Sequence, residues 1–140
     1  MNDKILVVAE PYTFGRNLMS FLTKEGYPSK LRISGVRTKE PVDGILHAFA
    51  VNKKPVNIRL SEYVVALIDG TLYGDIRGWE LVPFLQSEGI VCVGVSSKYI
   101  DRLRFKETGA TVFEDLLYTY EFLREGLREV YVAACNRKQA

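Results

Sequence analysis

Three short apolar runs constrain this chain more than any other feature: Ile5-Leu6-Val7-Val8, Val64-Val65-Ala66-Leu67-Ile68 and Ile90-Val91-Cys92-Val93-Gly94-Val95. They are nearly continuous rather than alternating. A strand that is apolar on both sides has to be covered on both sides, as in a parallel sheet held between two helical layers. A briefer run, Ala110-Thr111-Val112-Phe113, has the same character. Lys30-Leu31-Arg32-Ile33 alternates, as an edge strand of the same sheet does.

Helical periodicity fills the intervals. Phe14, Leu18, Phe21 and Leu22 recur at helical spacing, and Gly26 supplies a C-terminal cap. Val42, Ile45, Leu46, Phe49 and Ala50 repeat the pattern behind Pro41, which suits a first helical position. Trp79, Val82 and Leu85-Gln86 predict a shorter helix ended near Gly89, with Trp79 read as core packing. Ser97 is placed to cap a fourth helix that runs to Gly109, with Ile100 and Leu103 inward. Leu116, Tyr120, Leu123, Leu127 and Val130 form the stripe of the last and longest helix, and Asn136 to Ala140 reads as a frayed polar end. Strand and helix thus alternate five times. This predicts a three-layer, doubly wound α/β fold with a five-stranded parallel sheet, for which the flavodoxin-like order 2-1-3-4-5 is the commonest arrangement. Pro55-Val56-Asn57-Ile58-Arg59-Leu60 reads as a long loop or a small extra strand, and the sequence does not decide.

Composition limits the function classes. The 140 residues, 47% hydrophobic and 26% charged, suit one domain over 1–140, with a core at about 3–130 and the last helix extending to about 137. With 19 basic and 17 acidic residues the net charge is +2, so no direct nucleic-acid partner is expected. No apolar stretch approaches the ~18 residues of a membrane span. Cys92 and Cys135 fit no metal or redox spacing and read as free thiols, which makes a cytoplasmic location the expectation. No dinucleotide glycine motif, no P-loop and no nucleophile–base pair stands out. His47 has no Cys or His nearby. A non-enzymatic role is therefore expected.

In an open parallel sheet, ligands bind beyond the carboxyl ends of the strands. Glu10, Asp69-Gly70-Thr71, Ser96-Ser97 and Glu114-Asp115 follow the first, third, fourth and fifth predicted strands. Glu10 and Asp69 thus converge with the Ser96 hydroxyl. Such oxygens suit a hard cation such as Mg²⁺. An Asp beside a divalent cation can act as a phosphoryl acceptor, because the metal neutralises the incoming oxygens.

These motifs resemble the receiver domain of bacterial two-component response regulators. Lys4-Ile5-Leu6-Val7-Val8-Ala9-Glu10 is similar to the family's opening strand and acidic pair. Ala66-Leu67-Ile68-Asp69 is similar to the strand that ends in the phosphorylated aspartate. Gly78-Trp79-Glu80-Leu81 resembles the entry to the third helix, Val93-Gly94-Val95-Ser96-Ser97 the strand that ends in a switch hydroxyl, and Gly109-Ala110 with Phe113 the last strand and its aromatic switch. The resemblance covers about 3–130. It implies Asp69 as phosphoacceptor, Glu10, Asp69 and the Thr71 backbone carbonyl as Mg²⁺ ligands, and Ser96 and Phe113 as switch residues.

The chain also departs from the family pattern. Ala9 replaces the first acid of the pair, and Leu116 stands where the family has a lysine, with Leu117 at the usual proline. The loop 70–77 is a residue longer than usual. Lys98 and Arg77 are the candidate substitutes for the missing lysine. Missing metal and lysine charges weaken stabilisation of a phosphoryl transition state. The expectation is therefore a stand-alone, degenerate receiver that acts through protein contacts, with phosphorylation at Asp69 weak or lost. One alternative is a working single-domain receiver using Mg²⁺, with Asp75 a candidate to complete its metal site. Another is a flavodoxin-like domain that binds a small molecule in an apolar pocket. Lys98, Arg102, Arg104 and Lys106 on the fourth predicted helix, with Arg124, Arg128, Arg137 and Lys138 on the last, mark a basic interaction face. Tyr118, Phe122 and Tyr131 are its apolar anchors. Its expected occupant is a histidine kinase, a downstream regulator or a second copy; no membrane contact is expected.

Overall fold

The computed structural model describes residues 3–10, 12–27, 29–113 and 121–139. Among them the chain forms β1 (Lys4–Val8), α1 (Tyr12–Lys24), β2 (Lys30–Val36), β3 (Ile45–Ala50), β4 (Pro55–Arg59), β5 (Tyr63–Ile68), α2 (Val82–Ser87), β6 (Val91–Gly94), α3 (Tyr99–Glu107), β7 (Thr111–Val112) and α4 (Glu121–Gln139). Short 3-10 turns at Leu60–Glu62 and Gly78–Leu81 lead into β5 and α2.

One sheet holds all seven of these strands in the order β4-β3-β2-β1-β5-β6-β7. The five strands from β2 to β7 in that row pair in parallel. Counted along the chain, they stand in the predicted order 2-1-3-4-5. β3 and β4 extend the sheet antiparallel beyond β2. The fold is the expected doubly wound α/β class, but the sheet is mixed and wider than the five-stranded parallel one read from the sequence.

The continuous apolar runs became the central strands for the reason that predicted them. Every residue of β5 is buried. Ile5, Val7, Val65 and Leu67 face Leu18, Leu22, Leu123 and Leu127 of α1 and α4 on one side. Leu6, Val8, Ala66 and Ile68 face Leu81, Val82, Leu85 and Phe105 on the other. Gly26, at φ +86°, ends α1 as expected.

Several readings are corrected. The helix read over 41–50 is a turn followed by β3. Asp43 and Gly44, at φ +52° and +75°, form a tight two-residue turn closed by both backbone hydrogen bonds between Val42 and Ile45. Positive φ at both central positions stops a helix there, and Asp-Gly is a strong signal for this turn. Leu46 and Ala48 then alternate into the core, and Ile58 of β4 joins them. Pro55–Arg59 is thereby settled as a strand rather than a loop. β2 is an interior strand rather than the edge.

In α3, Ile100 is 56% exposed, and the inward residues are Asp101 and Phe105. Ser97 does not cap it; Lys98 is the N-cap, without a side-chain bond. At the other end of the chain, α4 continues to Gln139, and Lys138 Nζ donates to the carbonyls of Ser61 at 2.9 Å and Tyr63 at 2.7 Å. Those bonds fix what the polar composition suggested was frayed. Glu114, Asp115, Leu116, Leu117, Tyr118 and Tyr120, and the side chain of Phe122, lie outside the described residues.

Candidate functional site

Asp69 directly follows β5 and is only 6% exposed. Its own N–H donates to Val8 O at 2.8 Å, so the carboxylate is fixed to the sheet rather than to a swinging loop. Its Oδ1 accepts the Gly70 N–H at 2.8 Å. Ser96 follows β6, the neighbouring strand, and is also buried. The structure thus places Asp69 and Ser96 at adjacent strand ends, as the sequence predicted.

A third residue, missed in the sequence, completes this cluster. Asp101, in the first turn of α3, is 7% exposed, and its Oδ2 accepts the Ser96 hydroxyl at 3.0 Å. Its carboxylate lies over Gly70, where any side chain at position 70 would collide with it. Gly78 has the same relation to the backbone carbonyl of Asp69, and its N–H donates to Gly70 O at 3.1 Å. Gly70 therefore admits the acidic start of α3 against the strand end that carries Asp69, and Gly78 lets the following turn pack on the Asp69 backbone. Ser96 Oγ in turn accepts the Lys98 N–H at 3.1 Å, and Arg102 Nη1 donates to Ser96 O at 3.1 Å. The signal in the sequence was Asp-Gly with a second Asp one turn beyond Ser96; it was masked by Ile100, which took the inward place in the periodicity.

The electrostatics follow from the packing. Burial pushes the Asp69 carboxyl up to about 6. The Gly70 N–H opposes this, the negative charge of Asp101 adds to it, and Lys98 and the Thr71 N–H pull back. Lys98, one of the two candidate replacement cations, does act on Asp69; its side chain is exposed. Arg77 is exposed too, and its backbone N–H is bonded to Glu80 Oε2 at 2.7 Å.

Glu10 has a different neighbour. Its carboxylate is paired with Lys53, from the turn between β3 and β4. Lys53 Nζ also lies 4.8 Å from the ring centre of Tyr73, which packs edge-on against Phe49 of β3. The Thr71 carbonyl accepts the Glu10 N–H at 3.3 Å. Mg²⁺ requires near-octahedral oxygen ligands and usually takes one or two free carboxylates. Here Glu10 is neutralised by Lys53, Asp101 is turned to Ser96, and Ala9 offers no side-chain oxygen. Asp75 is exposed, and among the described residues no three His, Cys, Asp or Glu side chains converge. This donor set does not fit a bound Mg²⁺.

Phe113, just after β7, is half-buried against the core shared by α1 and α4. Its ring lies on Gly126 of α4, where a Cβ would strike it. A glycine inside a helix marks such a close approach. Trp79 packs edge-on to Phe105 at 6.2 Å, as core.

The basic residues divide between two places. Lys98, Arg102, Arg104 and Lys106 line α3, and Arg104 pairs with Glu107 at 3.4 Å. Arg124 and Arg128 reach instead to the end of α1. Arg124 pairs with Glu25 at 2.6 Å, and Arg128 donates to Glu25 O at 2.9 Å and stacks 4.4 Å from the Tyr27 ring. Tyr131 packs edge-on to Tyr27 at 5.0 Å, and its hydroxyl donates to Asp3 O at 3.0 Å. Two described surface cavities, of about 300 and 270 Å³, are lined by Gln86, Gly89 and Arg137 and by Asn17, Phe21 and Arg124. Neither is lined by Asp69 or Ser96. No described helix is long and apolar enough to cross a membrane.

No protein-family model matches the chain, and no curated protein is significantly similar to it in sequence. Solved structures do resemble it. The signal receiver domain of a LuxO repressor protein from Vibrio parahaemolyticus superposes with a TM-score of 0.68 at 10% identity, over 99% of this chain and 97% of that one. A CheY-like response regulator receiver domain from Methanospirillum hungatei gives 0.63 at 16% identity, over 98% and 99%. The signal receiver domain of a histidine kinase from Syntrophus aciditrophicus gives 0.60 at 16% identity, over 94% and 91%. The chain has the fold of response-regulator receiver domains, with a β-hairpin where its sequence suggested a second helix.

Proposed function

We propose that this chain is an atypical receiver-like signalling domain that works by protein–protein contact, with phosphorylation at Asp69 weak or lost. The observation that carries this reading is the company Asp69 keeps. A phosphoryl acceptor needs positive charge around the incoming oxygens. Asp69 has instead a buried carboxylate, Asp101, across Gly70, while the other acid at the strand ends is held by Lys53. The receiver-like fold and the Asp69–Ser96 placement support descent from a phosphorylated ancestor. The basic side of α3, with the exposed Tyr99 and Ile100, supports a protein partner such as a histidine kinase or a downstream regulator. Arg124 and Arg128, turned toward α1, extend that surface little, which disfavours a homodimer built on the last two helices together. The non-enzymatic reading and the absence of a resident cofactor belong to the same proposal.

Trp79 reports on this site, because the neighbouring Gly78 lies on the Asp69 carbonyl. Its fluorescence is followed while Mg²⁺ and then beryllofluoride are added to wild type and to Asp69→Asn. The reading expects no saturable change that depends on both Mg²⁺ and Asp69. Such a change would establish a working phosphorylation switch instead.

A further inference from the structure

The hairpin moves the edge of the sheet from β2 out to β4, and that edge has its own chemistry. Ala50 N–H donates to Lys54 O at 2.8 Å, and Leu60 N–H to Gly44 O at 2.9 Å. Bonded and non-bonded pairs alternate along an antiparallel ladder. In the observed register, Ala48–Val56 and Leu46–Ile58 are therefore bonded pairs, and the main-chain groups of Pro55, Asn57 and Arg59 point away from β3. The side chains of these three residues are exposed, on the sheet face opposite Ile58. Pro55 loses no ladder bond there, which is where an edge strand tolerates proline.

The exposed face beside this edge is basic. Arg37, just beyond β2, reaches across β3: its Nη2 donates to Asn57 Oδ1 at 2.8 Å, and its Nε to Ala48 O at 3.2 Å. His47, paired opposite Asn57, brings Nδ1 to 3.0 Å from the same Oδ1. Arg59 and Lys54 are exposed at the two ends. The carboxylate nearest Arg59 along the chain, Glu62, is already held by Lys4 at 2.6 Å. Asp43 lies in the turn before β3.

We propose that β4 is a docking edge for an extended, acidic segment of a protein partner, which adds to the sheet as a further antiparallel strand. Main-chain bonds to Asn57 and Arg59 would hold the segment, and its alternate carboxylates would lie over Arg37, His47 and Arg59. Charge complementarity selects this occupant over a second copy. Two β4 strands paired about Asn57 bring Arg37 and Arg59 of both copies onto one face, and Pro55 has no N–H to return to Arg59 of the other copy. Edge charge and proline of this kind discourage self-pairing.

The test uses the full chain and two fluorescein-labelled peptides, one alternating Glu with Val and one alternating Lys with Val. Binding is read by anisotropy, and amide hydrogen exchange at Asn57 and Arg59 by NMR. The glutamate peptide binds at least about tenfold more tightly than the lysine peptide, more weakly as salt rises, and slows exchange at both amides. The double variant Arg37→Glu, Arg59→Glu keeps the wild-type spectrum elsewhere and loses about tenfold or more in affinity. Asp69→Asn binds as wild type does, which separates this site from the reading of Asp69. Equal affinity for the two peptides, no binding, or binding that leaves the Asn57 and Arg59 amides unprotected overturns the proposal. Concentration-dependent protection of Asn57 without peptide overturns it in favour of a dimer.

Discussion

The two carboxylates at the strand ends differ in what surrounds them, and the difference follows from the two sides of the sheet. On the β5–β6 side, the predicted strand–helix succession is intact. There Asp69 is buried beside the Asp101 carboxylate, which holds Ser96, and among the described residues no cation is ion-paired with it. On the β1–β2 side the chain has put a hairpin where a helix was expected, and the turn of that hairpin delivers Lys53 to Glu10. An acid whose ionisation is opposed by burial and an acid paired with a lysine give different responses to pH, salt and mutation. That contrast also explains why neither suits a shared metal.

The hairpin is part of the core, and this sets the largest expected effect. Leu46→Ala should destabilise the protein by about 2–5 kcal/mol, because Leu46 is fully buried and clusters with Ile58, Leu60 and Ile33. Denaturant unfolding checks it. A loss under about 1 kcal/mol would mean that the hairpin is an appendage and that the two sides of the sheet fold independently.

Asp69→Asn acts in the opposite direction. The folded carboxyl titrates near 6, above its ordinary value of 3.8, so ionisation opposes folding. The contribution of the neutral acid is complete below about pH 4 and is lost as pH rises through about 6. Wild type should therefore gain stability between pH 7 and pH 4.5 relative to Asp69→Asn. At pH 7 the variant should be more stable by on the order of 2 kcal/mol. Thermal melts of both proteins across that range give the difference directly.

Gly70→Ala sharpens the same point, since the new Cβ meets the Asp101 carboxylate. We expect a loss of about 1–3 kcal/mol, and Asp101→Gly in the same chain should recover part of it. Additive losses would show that the two residues do not touch. The smallest effect belongs to the compensated acid. Lys53→Met removes a partner that is half-exposed, as Glu10 is. It should cost under about 1 kcal/mol, and less at high salt. A larger loss would mark the Lys53–Glu10 pair as a structural clamp.

The parallel core was legible because runs such as Val64–Ile68 leave no alternative to two-sided burial. The strand order and the placement of Asp69 beside Ser96 followed from that. The hairpin was not legible by spacing alone. Val42, Ile45, Leu46, Phe49 and Ala50 satisfy a helical period, while the structure uses only the alternation of Leu46 and Ala48. The turn pair Asp43-Gly44 was the available signal, and it outweighs the apolar spacing because both residues need positive φ. In α3 the same rule failed for a different reason. Ile100 is the more apolar residue, but the inward position opens onto Ser96 and Gly70, which hold a carboxylate better than a hydrocarbon. Lys53 was illegible because its meeting with Glu10 depends on the hairpin, which brings together residues far apart in the chain.

The central claim is that Asp69 occupies a buried acidic pocket rather than a cation site. The most direct test is a ¹³C NMR titration of the Asp69 carboxyl, with and without millimolar Mg²⁺. The account predicts a midpoint near pH 6 that Mg²⁺ leaves in place. A midpoint in the ordinary aspartate range, or one that Mg²⁺ drives downward, would contradict it.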